Sequence, residues 1–142
     1  MSWLPRKTVV IPIDFSDDSF AALDTALELV DNPQHLRIIH VLPILIPNDP
    51  GVIWEMVDDP GRADHAAEAL RKQLAAQDIE NIPIEIRFGE PGHQIAAFAE
   101  EQHAELIVVS SRGQSKLSRL LLGSVAEKVV RLAHCPVLVL KK

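Results

Sequence analysis

A single cysteine, Cys135, is the only thiol in this 142-residue chain. No internal disulfide can form, which excludes an oxidised framework and points to a reducing compartment, by default the cytoplasm. Long apolar runs are also missing. The best, Ile38 to Ile46, is broken by His40 and Pro43 and is too short to span a bilayer. The opening Met1-Ser2-Trp3-Leu4-Pro5-Arg6-Lys7 has no apolar stretch of signal-peptide length, so no membrane association is expected. Nor is there a surplus of base. Fourteen Lys and Arg against twenty Asp and Glu give a net charge of −6. A general binder of nucleic acid or anionic lipid is thereby excluded, because counterion release needs a broad basic face. A small phosphorylated ligand suits such a chain better.

Familiar catalytic signatures are scarce as well. The sequence contains no Gly-x4-Gly-Lys-Ser/Thr loop and no Gly-x-Gly-x2-Gly fingerprint, and its six histidines show no metal-ligand spacing. Without paired acids around a basic loop, efficient nucleotide hydrolysis is not expected, and whether the chain is an enzyme at all stays open. His40, inside Ile38-Ile39-His40-Val41, reads as a buried, hydrogen-bonded histidine. Cys135, beside Pro136, reads as a packed thiol.

Strand and helix patterns alternate along the chain. Thr8 to Ile13 has the continuous apolar character of a strand buried on both faces, and Ser16-Asp17-Asp18 then supplies a cap and first-turn acids. Phe20, Leu23, Leu27 and Val30 recur at helical spacing in a helix expected to end near Asn32-Pro33. Leu36 to Val41 is the second strand. Pro43 to Gly61, with four prolines and the apolar Ile53, Trp54 and Met56, predicts a long irregular connection. Further on, Arg62 to Asp78 predicts a helix, Pro83 to Phe88 a strand, Gly92 to Gln102 a helix and Leu106 to Val109 a strand. Ser124 to Ala133 predicts the last helix and Val137 to Leu140 the last strand. Residues 1–142 are expected to form one α/β domain, a Rossmann-like fold with a five-stranded parallel sheet of order 3-2-1-4-5 and helices on both faces. Ligands of such sheets bind where the strand order reverses, at the carboxyl ends of strands one and four. The loop after strand one carries Asp14, and the loop after strand four carries the most unusual segment of the chain.

That segment is Ser110 to Ser124. No acid occurs between Leu106 and Ala126 in this otherwise acidic sequence, yet Arg112, Lys116 and Arg119 all fall there, between a strand and a helix. Free backbone N–H groups at a helix start, a glycine that admits close approach, and nearby cations together make an anion site. The alternative is a plain loop with glycine turns and solvated bases. Ser124-Val125-Ala126-Glu127 fits a capping box, which predicts Ser124 as the helix cap with Glu127 returning the bond.

Val9-Val10-Ile11-Pro12-Ile13-Asp14-Phe15-Ser16, the spacing of Gly113 and Gly123, and the stretch from Ser124 to Leu140 resemble the universal stress protein family over essentially the whole chain. ATP-binding members of that family carry Gly-x2-Gly-x9-Gly-Ser/Thr, and this chain reads Ser110-x2-Gly113-x9-Gly123-Ser124. The resemblance implies a site for ATP built from Pro12, Asp14, Val41, Ser110, Arg112, Gly113, Gly123, Ser124 and Val125. Within it, Gly113, Gly123 and Ser124 would face phosphates, Asp14 the nucleoside and Val41 the adenine. Magnesium would come as the nucleotide's companion, since Asp14 alone is a thin basis for a cation site. Ser110 departs from the motif. A side chain there would penalise a left-handed backbone by about 1 kcal/mol, although its hydroxyl could instead donate to a phosphate or ribose. The family also implies an antiparallel homodimer through Val137 to Leu140, an apolar edge strand in the expected order. A regulatory nucleotide binder, a member acting only through protein partners, and a slow ATPase are the functions the sequence leaves standing.

Overall fold

The computed structural model describes residues 2–44, 59–112 and 122–141. Strands β1 (Val9–Pro12), β2 (Leu36–Leu42), β3 (Ile84–Phe88), β4 (Leu106–Ser110) and β5 (Val137–Leu140) form one sheet. Its order is β3-β2-β1-β4-β5, and every neighbouring pair is parallel. The helices between them are α1 (Asp17–Glu28), α2 (Asp59–Ala76), α3 (Pro91–Glu101) and α4 (Ser124–Leu132).

Side chains alternate across the strands and so feed two cores. On one face Val9, Ile11, Leu36 and Ile38 pack with Leu23 of α1 and Leu70 of α2. On the other, Val10, Ile39 and Ile107 pack with Ile95 and Phe98 of α3 and Val129 of α4. Both faces of the central strands are thus buried, which accounts for their unbroken apolar character.

Element ends differ from the sequence expectation where local backbone intervenes. Helix α1 stops at Glu28, with Leu29 as its C-cap, and Asn32-Pro33 instead opens a short 3₁₀ turn, Pro33–His35, capped by the Asn32 side chain. Helix α2 stops at Ala76 because Asp78 takes a left-handed conformation, φ +59°. The same helix already begins at Asp59, inside the span expected to be irregular, and residues 45–58 of that connection, Trp54 among them, lie outside the described residues.

Strand β1 behaves unevenly toward its two neighbours. Its ladder with β2 runs through Pro12, whereas its ladder with β4 covers only Val9 and Val10. Backbone N–H directions alternate along a strand, and Ile13 donates to the Ile39 carbonyl on β2 at 2.9 Å. The missing N–H of Pro12 therefore falls on the β4 side, where a proline weakens the ladder most directly. The carboxyl ends of β1 and β4 part at that point, and a cleft opens between them.

Candidate functional site

The cleft has a volume of about 510 Å³ and lies at the carboxyl ends of the central strands. Of the residues singled out in the sequence, Pro12, Asp14, Val41, Ser110, Arg112, Gly123, Ser124 and Val125 all line it. Gly113, Lys116 and Arg119 lie outside the described residues. Apolar side chains of Ile39, Val41, Ile95 and Val109 supply much of the wall, and Asp14 and Arg112 are the Asp, Glu, Lys or Arg residues among its described lining.

The β1 side is tightly organised. Ser16 caps α1, its Oγ accepting from the Ser19 N–H at 3.1 Å. The same hydroxyl donates to Asp14 Oδ1 at 2.5 Å, and the Ser16 N–H donates to that oxygen at 3.0 Å. The Asp14 N–H in turn donates to Ser19 Oγ at 3.3 Å. Asp14 is therefore a held carboxylate that continues the cap, rather than a loosely solvated acid. Between Asp14 and Ser16 the chain turns through Phe15 at φ +66°, a left-handed conformation costing a bulky residue about 1–2 kcal/mol. The Phe15 ring meets the edges of Phe20 and His40, with centroids 6.4 and 4.9 Å away. His40 is buried as expected, with Nδ1 2.6 Å from the Ile13 carbonyl.

The β4 side is built on different lines. Ser110 ends β4 in extended backbone and is absent from the positive-φ residues, so the left-handed penalty expected of it does not arise. Its hydroxyl donates to the Arg112 carbonyl at 2.7 Å and accepts from the Arg112 N–H at 3.2 Å, holding the start of the loop. At the far end, the Gly123 N–H donates to the Ser111 carbonyl at 2.7 Å. A Cβ at Gly123 would stand 2.8 Å from that carbonyl oxygen. Glycine is thus required here for close approach, not for a left-handed turn, since its φ is −61°. Arg112 leans toward Asp18 in the first turn of α1, Nε to Oδ2 3.8 Å, and its buried Nε has no hydrogen-bond partner among the described residues.

The capping box expected at Ser124 does not form. Gly123 is the cap residue, Ser124 is the first residue of α4, and among the described residues no side chain caps the helix. Glu127 then sits one position too far along to reach back, and it pairs with Arg131 one turn ahead. Among the described residues, no side chain accepts from the N–H groups of Ser124, Val125 and Ala126, which begin the helix inside the cleft.

Helix α3, whose Pro91 also reaches the cleft, contrasts with this arrangement. Glu90 caps it, accepting from the Gly92 and His93 N–H groups at 3.2 and 2.8 Å. Burial works to raise the Glu90 carboxyl, but hydrogen bonds from the His93 backbone and ring, from Gly92, and the charge of Lys128 hold it below the usual carboxylate value. Away from the cleft, burial pushes the Cys135 thiol up, which keeps it protonated and fits a packing role. Phe15, Ser19 and the Ser111 carbonyl were not among the sequence candidates. Only the turn-forming context around Ser16 hinted at the first two.

Such a cleft offers an apolar slot, a fixed carboxylate and, opposite it, an open helix start beside an arginine. An adenine nucleotide would find acceptable partners for its base, ribose and phosphates respectively. No group of three or more metal-ligating side chains occurs among the described residues.

Comparison with known proteins agrees with this architecture. The model of the universal stress protein family matches residues 5–141. The chain is 37% identical to universal stress protein MJ0531 of Methanocaldococcus jannaschii over 96% of its own length and 82% of that protein. It is 35% identical to universal stress protein YxiE of Bacillus subtilis, covering 94% and 97% of the two chains. Among solved structures, UspA from Lactobacillus plantarum superposes with a TM-score of 0.72 at 26% identity, covering 96% of this chain and 98% of that one. A universal stress protein solved in complex with cAMP shares the fold with a TM-score of 0.64 at 24% identity, covering 96% and 97%. By sequence and by fold, the chain belongs to the universal stress protein family.

Proposed function

We propose that this protein binds an adenine nucleotide, ATP first among them, in the cleft between β1 and β4, and that it acts as a regulatory module of the stress response without rapid turnover. The observation that carries this reading is the start of α4, which no described side chain caps and which shares one cleft with Asp14, Val41 and Arg112. Phosphates would lie against the Ser124, Val125 and Ala126 N–H groups, where helix dipole and hydrogen bonds both favour negative charge. Asp14 would accept from the ribose, and the slot beside Val41 would take the base. Arg112 would add attraction for the phosphates, and Gly113 would complete the loop as in other family members. A relative of the same fold that holds cAMP, itself an adenine nucleotide, supports the ligand class. Magnesium would travel with the triphosphate.

Calorimetric titration with ATP tests the reading: saturable heat at or below millimolar nucleotide is expected, and none would sink it. Mass spectrometry of the freshly purified, denatured protein gives a second check through copurified nucleotide.

One observation favours a second reading, in which the protein acts through protein partners alone. Ser110 replaces the first glycine of the family motif and spends its hydroxyl on Arg112 rather than leaving it for a ligand. A nucleotide-free preparation that also fails to titrate would favour it. In either reading the edge position of β5 supports an antiparallel homodimer, and a concentration-independent monomer mass in ultracentrifugation would exclude one. The lone, packed Cys135 supports the cytoplasm as the working compartment.

A further inference from the structure

His40 lines the cleft beside Val41 and is 9% exposed, yet nothing in the ligand reading uses its imidazole. Its placement is specific. Nδ1 lies 2.6 Å from the Ile13 carbonyl, and a carbonyl can only accept. The proton of neutral His40 must therefore sit on Nδ1, the tautomer that a free histidine side chain in water populates less. The Ile13 carbonyl belongs to the peptide that leads into Asp14, and the imidazole packs edge-to-face with the Phe15 ring, centroids 4.9 Å apart. Both contacts fall on the same short turn, whose Phe15 backbone is left-handed and needs support from its surroundings to persist. On the opposite side of that turn, Ser16 and Ser19 fix the Asp14 carboxylate and N–H.

We infer that His40 is the positioning residue of the nucleotide site: by donating from Nδ1 to the Ile13 carbonyl and backing Phe15, it fixes the turn that aims Asp14 at the ligand. It acts through Asp14 and makes no contact with phosphate. This inference rests on the nucleotide reading for its effect on affinity, but the positioning itself is a property of the ligand-free protein.

Two variants separate hydrogen bond from bulk. In His40→Asn the side-chain amide can occupy the place of Nδ1 and still donate, whereas His40→Leu fills the space without a donor. ATP affinity measured by calorimetry should fall about tenfold in His40→Leu and by less than about threefold in His40→Asn, the loss of one buried hydrogen bond setting the scale. Because His40 works through Asp14, adding His40→Leu to Asp14→Asn should weaken binding no further than Asp14→Asn alone. Equal losses in the two His40 variants, or additive losses in the double variant, would overturn the inference.

Nuclear magnetic resonance of the ligand-free protein keeps the two claims apart. Imidazole nitrogen shifts of the unsubstituted protein should report a proton on Nδ1. The Asp14 and Phe15 amide resonances should move in His40→Leu and return toward their original positions in His40→Asn. A proton on Nε2, or Asp14 and Phe15 resonances indifferent to His40→Leu, would refute the positioning whether or not ATP binds. Correct resonances in a protein that fails to bind ATP would instead refute the nucleotide reading and leave the positioning standing. The tautomer readout needs no variant, so it decides the matter even if His40→Leu does not fold.

Discussion

Helices α1 and α4 both begin at the rim of the same cleft, but they finish their first turns in opposite ways. Ser16 closes the start of α1 with a side-chain oxygen, and Asp17 and Asp18 place negative charge on its dipole. Gly123 closes nothing at the start of α4, and the first acid there, Glu127, turns away to Arg131. One helix start is satisfied by its own side chain. At the other no described side chain supplies an acceptor, and Arg112 lies close by. Helix α3, capped by Glu90, sides with α1. In the proposed reading an anion entering the cleft would be directed to α4, and the carboxylate of Asp14, held by the α1 cap, would face the uncharged part of the ligand.

The largest effect should come from the residue that keeps α4 open. Gly123→Val would push a side chain into the Ser111 carbonyl, 2.8 Å from the Cβ position. Overpacking of this kind costs about 1–3 kcal/mol. Urea denaturation should show that loss, and calorimetry should show ATP affinity lowered at least about tenfold. An unchanged midpoint would mean that the loop does not return where the Gly123 hydrogen bond places it.

Removing the closed cap of α1 ranks next. Ser16→Ala loses the acceptor for the Ser19 N–H and a donor to Asp14, and the missing cap should lower stability by about 1 kcal/mol. Affinity for adenosine should fall together with affinity for ATP, because the damage reaches Asp14 rather than the phosphate side. A loss confined to ATP would reverse the assignment of the two helix starts.

Ser110→Gly restores the family's glycine and should still be harmful. Ser110 is extended and its hydroxyl holds Arg112, so the substitution should lower stability by about 0.5–1.5 kcal/mol. A more stable variant in thermal unfolding would show that the serine is a burden after all.

The smallest effect concerns acid. The Glu90 carboxyl is held below its ordinary value in the folded protein, so its contribution to stability is complete above the ordinary carboxylate range and is lost as pH falls through the lower, folded one. Urea midpoints of the unsubstituted protein and Glu90→Gln should converge as pH drops from about 6 to about 3. A gap that stays constant would mean the α3 cap does not depend on the charge. Neither Ser16 nor the open α4 start titrates in that way.

Much of this arrangement is legible in the sequence. Continuous apolar runs with intervening helical periodicity are enough to mark the strands, their parallel order and the crevice between the first and the fourth, because each is a property of local pattern and chain topology. The α1 cap is legible for the same reason, since Ser16, Asp17 and Asp18 act within one turn. The start of α4 is not. Ser124-x-x-Glu127 is a sound capping pattern, and what defeats it is the carbonyl of Ser111, which comes from another element and forces glycine into the cap position. Ser110 misleads for a similar reason: a motif shows that glycine is missing but not which backbone angles the position adopts. Phe15 is the opposite case, a bulky residue in a conformation that its type disfavours, held there by His40 and Phe20 from elsewhere in the fold. Pro12 could be read as a strand residue, but its weakening of the β4 ladder becomes visible only once the register with β2 fixes which side lacks the N–H.

The most direct test of the account is to follow backbone amide resonances during titration with ATP and, separately, with adenosine. With ATP, the amides of Ser124, Val125 and Ala126 should shift with saturation while those of Asp17 and Asp18 move little, and adenosine should leave the α4 amides in place. Shifts concentrated at the start of α1, or α4 amides that respond equally to adenosine, would contradict the division of labour between the two helix starts.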